Sequence, residues 1–263
     1  MNQRPLVVRF GALGDMTLLT VIIRLLHERF GAPVDILGSG GWTRPLLEGQ
    51  PGVGELYLVG SRRWPYFASP EQWRLTNALR ERGAGPTWFC DHDNTKIFRV
   101  LKRAGWREEH CCHYEGLRDL PGPHMCDLWQ RFAYRNPKVL GGEDLPSQIR
   151  EQAHSVLVVS ESRRLSLEAW LTEKKLSGKP LILVQVANKR TMRRGSPTRA
   201  SNSKYWPEEN WAAVLRHLRE RHPVHTILML GVPQEAMLND EILQLAKIGN
   251  AMNVALETPI PRL

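Results

Sequence analysis

The stretch "VVRFGALGDMTLLTVIIRLL", residues 7–26, decides how this chain is to be read. The segment Leu6–Phe10 is short and rich in branched apolar residues, as a parallel strand buried on both faces should be. Leu18, Ile22, Leu25 and Leu26 then recur at helical spacing along one face. Between the two runs, Gly11 and Gly14 let the backbone turn sharply, so the stretch is a β-turn-α unit. Its carboxylate, Asp15, falls at the helix start, where two roles are open to it. It can cap the helix, because N-terminal amides and the helix dipole favour an anion. It can also point into the crevice at the carboxyl edge of a parallel sheet, where open α/β proteins bind their ligands.

Working outward, the same alternation repeats. "PVDILGSGG" is a second strand ending in glycines, and "WTRPLLEGQPGVGELYLVG" carries a short helix or turn and a third strand around Glu55–Val59. "SPEQWRLTNALRERGAG" opens on a Ser-Pro helix signal and closes at glycine. "PTWFCDHDN" is then a fourth strand leading to the helix "TKIFRVLKRAGW". A second series follows. "LSLEAWLTEKKLSGK" is an amphipathic helix ending at Gly178, and "PLILVQVA" is an apolar strand. The polar stretch "NKRTMRRGSPTRASNSK", residues 188–204, is long for a β-to-α loop. "WPEENWAAVLRHLRERH", "HTILMLG", "PQEAMLNDEILQLAKIG" and a last strand, "NVALE", complete the alternation. The expected fold class is α/β, with two Rossmann-type doubly wound domains facing a cleft, residues 1–162 and 163–263.

Composition bounds what such a fold could do. The chain has 263 residues, 42% of them apolar and 24% charged, which describes an ordinary globular protein long enough for two domains. No run reaches the length of a membrane span, and "MNQRPLVVRF" enters a strand without a signal-peptide pattern, so a cytoplasmic protein is expected. Four cysteines, two of them adjacent at Cys111 and Cys112, form no disulfide framework and suit a reducing compartment. A net charge of +9 favours anionic partners, among them nucleotides, nucleic acid and phosphorylated lipid headgroups. A Rossmann dehydrogenase is disfavoured, because "GALGD" is not G-x-G-x-x-G and no suitably placed acid follows the second strand.

Four blocks, "RFGALGDMTLLTVIIRLLHERFG", "KYWPEENWAAVLRHL", "LGVPQEAMLNDEI" and "NVALETPIPRL", occur in this order along the chain. Together they resemble the signature blocks of the ADP-heptose:lipopolysaccharide heptosyltransferases, two-domain GT-B glycosyltransferases of family 9. The most specific parts are the G-x-x-G-D turn and the K-x-W-P-x-E-x-W segment. The resemblance implies an inverting transfer of a sugar, heptose by analogy, from an ADP-sugar donor to a lipopolysaccharide core or similar anionic glycolipid acceptor. It implies no cofactor and no metal, and a cytoplasmic location with peripheral contact at the inner membrane surface. Nucleic acid is not expected as a partner.

The resemblance also assigns residues. Asp15 matches the family's proposed general base, which must take the proton of the attacking acceptor hydroxyl. Lys204, with Ser203 beside it, matches the lysine before Trp-Pro that contacts the donor phosphates, and Glu235 matches the acid that accepts from the ribose hydroxyls. The backbone near Pro259 and Ile260 matches the segment against the adenine. On the acceptor side the candidates are Gly14, Arg62 and Arg63 in "SRRWPYF", and Asp93 and Asn94 in "CDHDN", with Trp64, Tyr66 and Asp91 beside them.

Some features fit less well. "HCCH" at His110–His113, with His124 and Cys126 beyond it, invites a metal reading, but adjacent cysteines lack the spacing that lets one ion take both thiolates. Lys189, Arg190, Arg193, Arg194 and Arg199 lie in a loop larger than the family's usual turn, either as phosphate ligands or as a solvated run. The family's Asp-Ser/Thr-Gly-x-x-His block would fall after residue 263, so the second domain is expected to be truncated and the chain a poor catalyst. The alternatives are therefore an incomplete, non-catalytic relative and a basic nucleic-acid-binding α/β protein.

Overall fold

The computed structural model describes residues 4–60, 66–91, 95–114, 124–146, 154–187, 192–193, 196–197, 205–257 and 259. The chain divides into two compact units, Met1–Val158 and Val159–Leu263.

The first unit alternates strands and helices in chain order: β1 (Leu6–Arg9), α1 (Leu13–Leu18), α2 (Thr20–Phe30), β2 (Val34–Gly38), α3 (Thr43–Leu47), β3 (Val53–Leu58), α4 (Pro70–Arg82), β4 (Thr87–Phe89), α5 (Thr95–Arg103), β5 (Cys111–His113) and α6 (Met125–Ala133). The strands pair only in parallel, in the order β3-β2-β1-β4-β5. Leu6, Val8, Leu37 and Phe89 point to one face, where Leu75 and Leu79 of α4 and Ile97, Val100 and Leu101 of α5 cover them. On the other face Trp88 meets Phe30 of α2 edge to face at 5.7 Å. With both faces covered, the strands must be apolar at nearly every position, and β1 reads Leu-Val-Val-Arg.

The opening helix is two helices, broken at Leu19, rather than one. The second ends at Gly31, whose φ of 59° is the left-handed conformation that closes a helix and favours glycine. Inside the sheet's amino edge, Asp35 of β2 is fully buried. It accepts hydrogen bonds from Arg4, from Arg82 Nε at 2.7 Å and from the Glu55 amide at 2.8 Å.

The unit closes with an extended strap. Val156 N donates to Thr20 Oγ1 at 3.2 Å. The amide of Gln50 takes Val158 N at 2.7 Å and gives to Val158 O at 2.9 Å.

The second unit runs α7 (Glu161–Glu173), β6 (Leu181–Gln185), β7 (Met192–Arg193), β8 (Ser196–Pro197), α8 (Glu208–Arg221), β9 (Thr226–Leu230), α9 (Ala236–Ala246) and β10 (Ala251–Asn253). Strands β10-β9-β6 pair in parallel in that order, and β7 and β8 form a small antiparallel ladder. Ala212 and Leu215 of α8 and Leu238 and Ile242 of α9 pack on Ile227 and Met229, while Trp170 of α7 packs with Leu228 and Val254.

Two sequence expectations shift here. Helix α7 begins at Glu161, because Ser160 Oγ accepts from Arg163 N at 3.4 Å, and it stops before Lys175, whose φ is 57°, rather than at Gly178. The last strand is Ala251–Asn253 and not "NVALE". Val254 and Ala255 are buried, which is why they read as strand, but they lie in a turn closed by Glu257 N on Val254 O.

Candidate active site

In the first unit the strand order reverses between β1 and β4, since the chain builds outward from β1 to β3 and then returns to the other side. Loops after the two strands flanking such a point diverge and leave a crevice at the carboxyl edge. Arg9 is the last residue of β1, and Asp91 follows β4. Arg9 Nη1 donates to Asp91 Oδ1 at 3.2 Å and to the Cys90 carbonyl, while Nη2 donates to Asp15 Oδ1 at 2.9 Å. Its guanidinium also lies over the Trp129 ring of α6, 5.7 Å from the centroid. Asp91 in turn accepts from Phe10 N at 2.6 Å.

Asp15 is the third residue of α1, and its Oδ2 accepts from Ala12 N at 2.8 Å. It therefore caps the helix from within and also faces the crevice, joining the two roles the sequence leaves open. The side chains of Arg9 and Asp91 are 13% and 16% exposed, but that of Asp15 is 42% exposed, so it is the member of the trio that solvent or a ligand can reach. Ala12, Leu13, Gly14, Thr17 and Leu18 line an open depression with it. Gly11 is required by close approach: a Cβ there would stand 2.3 Å from Asp15 Cβ. Two carboxylates on one guanidinium leave a net negative charge, and each carboxylate oxygen keeps lone-pair capacity beyond the bond it makes.

In the second unit Glu235 ends a 3₁₀ turn before α9 and is 5% exposed. Its Oε2 accepts from Gln185 Nε2 at 3.1 Å and from Val232 N at 3.0 Å, which puts it at the carboxyl ends of β6 and β9. Pro259 is exposed. Lys204, Ser203, Ile260, Arg62, Arg63, Trp64, Asp93 and Asn94 lie outside the described residues, as does most of the basic loop. Tyr66 is half-buried beneath Arg103.

The histidines near the paired cysteines serve local structure. His110 Nδ1 accepts from Arg107 N at 3.0 Å, His113 stacks on Phe89 with centroids 5.0 Å apart, and His124 Nδ1 caps α6 by accepting from Cys126 N at 3.3 Å. Burial pushes the Cys90 and Cys111 thiols well up and the Cys112 thiol to about 12. No group of three or more metal-ligating side chains forms among the described residues.

Arg9 and Gln185 are the site residues that the sequence does not single out. Each is a polar residue at the carboxyl end of an otherwise apolar strand, and that position is the signal they carry.

This is the fold of the GT-B heptosyltransferases of glycosyltransferase family 9, built of two Rossmann-type units. E. coli ADP-heptose LPS heptosyltransferase II matches over 99% of this chain and 75% of its own, with a TM-score of 0.66 at 19% identity. The glycosyl transferase family 9 structure from Veillonella parvula matches over 99% of this chain and 72% of its own, with a TM-score of 0.71 at 14% identity. E. coli heptosyltransferase WaaC, solved with ADP-2-deoxy-2-fluoro heptose, matches over 95% of this chain and 76% of its own, with a TM-score of 0.63 at 14% identity. No protein-family model and no curated protein sequence matches the chain.

Proposed function

We propose that this protein is an inverting glycosyltransferase that moves a sugar, heptose in the first instance, from an ADP-sugar to an anionic glycolipid acceptor of the lipopolysaccharide-core type. The observation that carries this reading is the half-exposed Asp15 carboxylate, held by Arg9 at the point where the strand order reverses. Transfer with inversion needs one carboxylate beside the acceptor hydroxyl. As the hydroxyl oxygen attacks the anomeric carbon, its proton passes to Asp15, and the bond to the diphosphate breaks on the opposite face of the ring. Arg9 holds the carboxylate in place through this step without touching substrate, and Asp91 holds Arg9.

On the donor side, Lys204 and Ser203 are assigned to the diphosphate, Glu235 to the ribose and the Pro259–Ile260 backbone to the adenine. A lysine and backbone amides can take up the leaving group's charge, so the reading calls for no metal and no cofactor. Arg62, Arg63, Asp93, Asn94 and the Gly14 backbone are assigned to the acceptor.

Mixing the protein with ADP-heptose and a heptose-deficient lipopolysaccharide core tests the reading, with ADP release and product mass as readouts. Calorimetry with ADP alone isolates the donor half. Lys204→Ala should weaken ADP binding by about 1.5–3 kcal/mol, the scale of a charge-assisted hydrogen bond, and Glu235→Ala by less. ADP affinity unchanged in both variants would remove the donor assignment.

A further inference from the structure

We infer that Gln185 is a specificity residue of the second unit's site, and that its side-chain oxygen together with Glu235 selects a nucleotide carrying both ribose hydroxyls over its deoxy counterparts. The role rests on the donor reading above, in which Glu235 meets the ribose, and it adds to that reading a second residue and a selectivity.

Gln185 is the last residue of β6 and is exposed. Its Nε2 donates to the Ala187 carbonyl at 3.1 Å and to Glu235 Oε2 at 3.1 Å. A primary amide nitrogen carries two hydrogens, so both are committed. Turning the amide over would set its oxygen against a carbonyl and a carboxylate, and the two acceptors therefore fix which end faces them. Oε1 is left as the open end, with no donor among the described residues.

The carboxylate beside it is arranged in the same way. Glu235 Oε2 takes both Gln185 Nε2 and Val232 N, the latter at 3.0 Å, while Oε1 has no donor among the described residues. Gly231 leaves room for this arrangement, since a Cβ there would stand 2.8 Å from Oε2. Glu235 is 5% exposed, and a carboxylate oxygen so deeply placed calls for a hydrogen-bond donor.

The two side chains thus offer a ligand two acceptor oxygens and no N–H. A phosphate would find no donor on either side chain and would face the carboxylate's charge. A vicinal diol suits the pair, because it brings two O–H donors on adjacent carbons. A ligand with one of the two hydroxyls missing would leave one of these oxygens without its bond, and such a site rejects the analogue that lacks the group.

The test is calorimetry of the full chain and of Gln185→Met with ADP, 2′-deoxy-ADP and 3′-deoxy-ADP. The parent should bind each deoxy nucleotide at least ~3–10-fold more weakly than ADP, the scale of one hydrogen bond. In Gln185→Met one of the two penalties should shrink to within about twofold while the other persists, and the nucleotide whose penalty vanishes should bind both proteins alike. Loss of folding would weaken all three nucleotides together, so that unchanged affinity is itself the control, and matching thermal melts confirm it. Both penalties retained in Gln185→Met, both lost together, or neither present in the parent would overturn the role of Gln185 while leaving ADP binding, and with it the donor reading, intact. A parent that binds none of the three nucleotides would overturn the donor reading and this role with it.

Discussion

Arg9 Nη2 and Asp15 Oδ1 are 2.9 Å apart across the turn that joins β1 to α1, and the same guanidinium reaches Asp91 at the end of the neighbouring strand. Asparagine at position 15 can still accept from Ala12 N but cannot take a proton. Asp15→Asn should therefore melt within about 1 kcal/mol of the parent, while transfer falls by at least ~10²-fold. Arg9→Gln should lower turnover more than it raises KM, and Arg9→Lys should restore part of it, because a point charge replaces only half of a forked contact. Parental turnover in Asp15→Asn would show that the carboxylate only caps the helix.

Gly11→Ala tests the same site through the backbone. Its new Cβ would fall 2.3 Å from Asp15 Cβ, an atom that cannot move without moving α1. Transfer should drop as steeply as in Asp15→Asn although every polar group is retained, and ADP affinity, measured by calorimetry, should hold.

Asp35 is a stability prediction. It is fully buried with Arg82, whose side chain is 2% exposed, and removing one partner of such a pair strands the other's charge. Asp35→Ala should cost about 3–5 kcal/mol in urea unfolding. The companion change Arg82→Met in the same chain should recover part of that loss.

Burial pushes the Cys112 thiol to about 12, and it raises Cys90 and Cys111 as well. The thiolate is the reacting form, so iodoacetamide at mildly alkaline pH should modify the folded protein slowly and all four cysteines promptly in denaturant. The sign of the linkage is set by the raised value. The folded state keeps protons that the unfolded state releases from about 9 upward, so stability falls as pH rises from about 9 to about 12.

What the sequence discloses is local. The β1-turn-α1 unit is legible because Leu6–Phe10 and the glycines at 11 and 14 encode strand and turn within a few residues of each other, and Asp15 stands out as their carboxylate. Arg9 is hidden because its role depends on Asp91, 82 residues away, and only the strand order brings the two together. The Arg82–Asp35 pair is hidden for the same reason. "NVALE" misleads because burial and strand pairing usually travel together, and at Val254 they part: the residue is fully buried, yet its chain is turning.

Gln50 offers Val158 one donor and one acceptor, which is what an adjacent strand would offer. Val158 is thus held like a ladder residue although it belongs to no strand. Its amide hydrogen should exchange with deuterium as slowly as those of the sheet, opening only when Gln50 lets go. In Gln50→Ala, protection should retreat along the strap to Val156, where Thr20 Oγ1 is the next acceptor. The place where the first unit stops resisting solvent would then be fixed by one glutamine side chain.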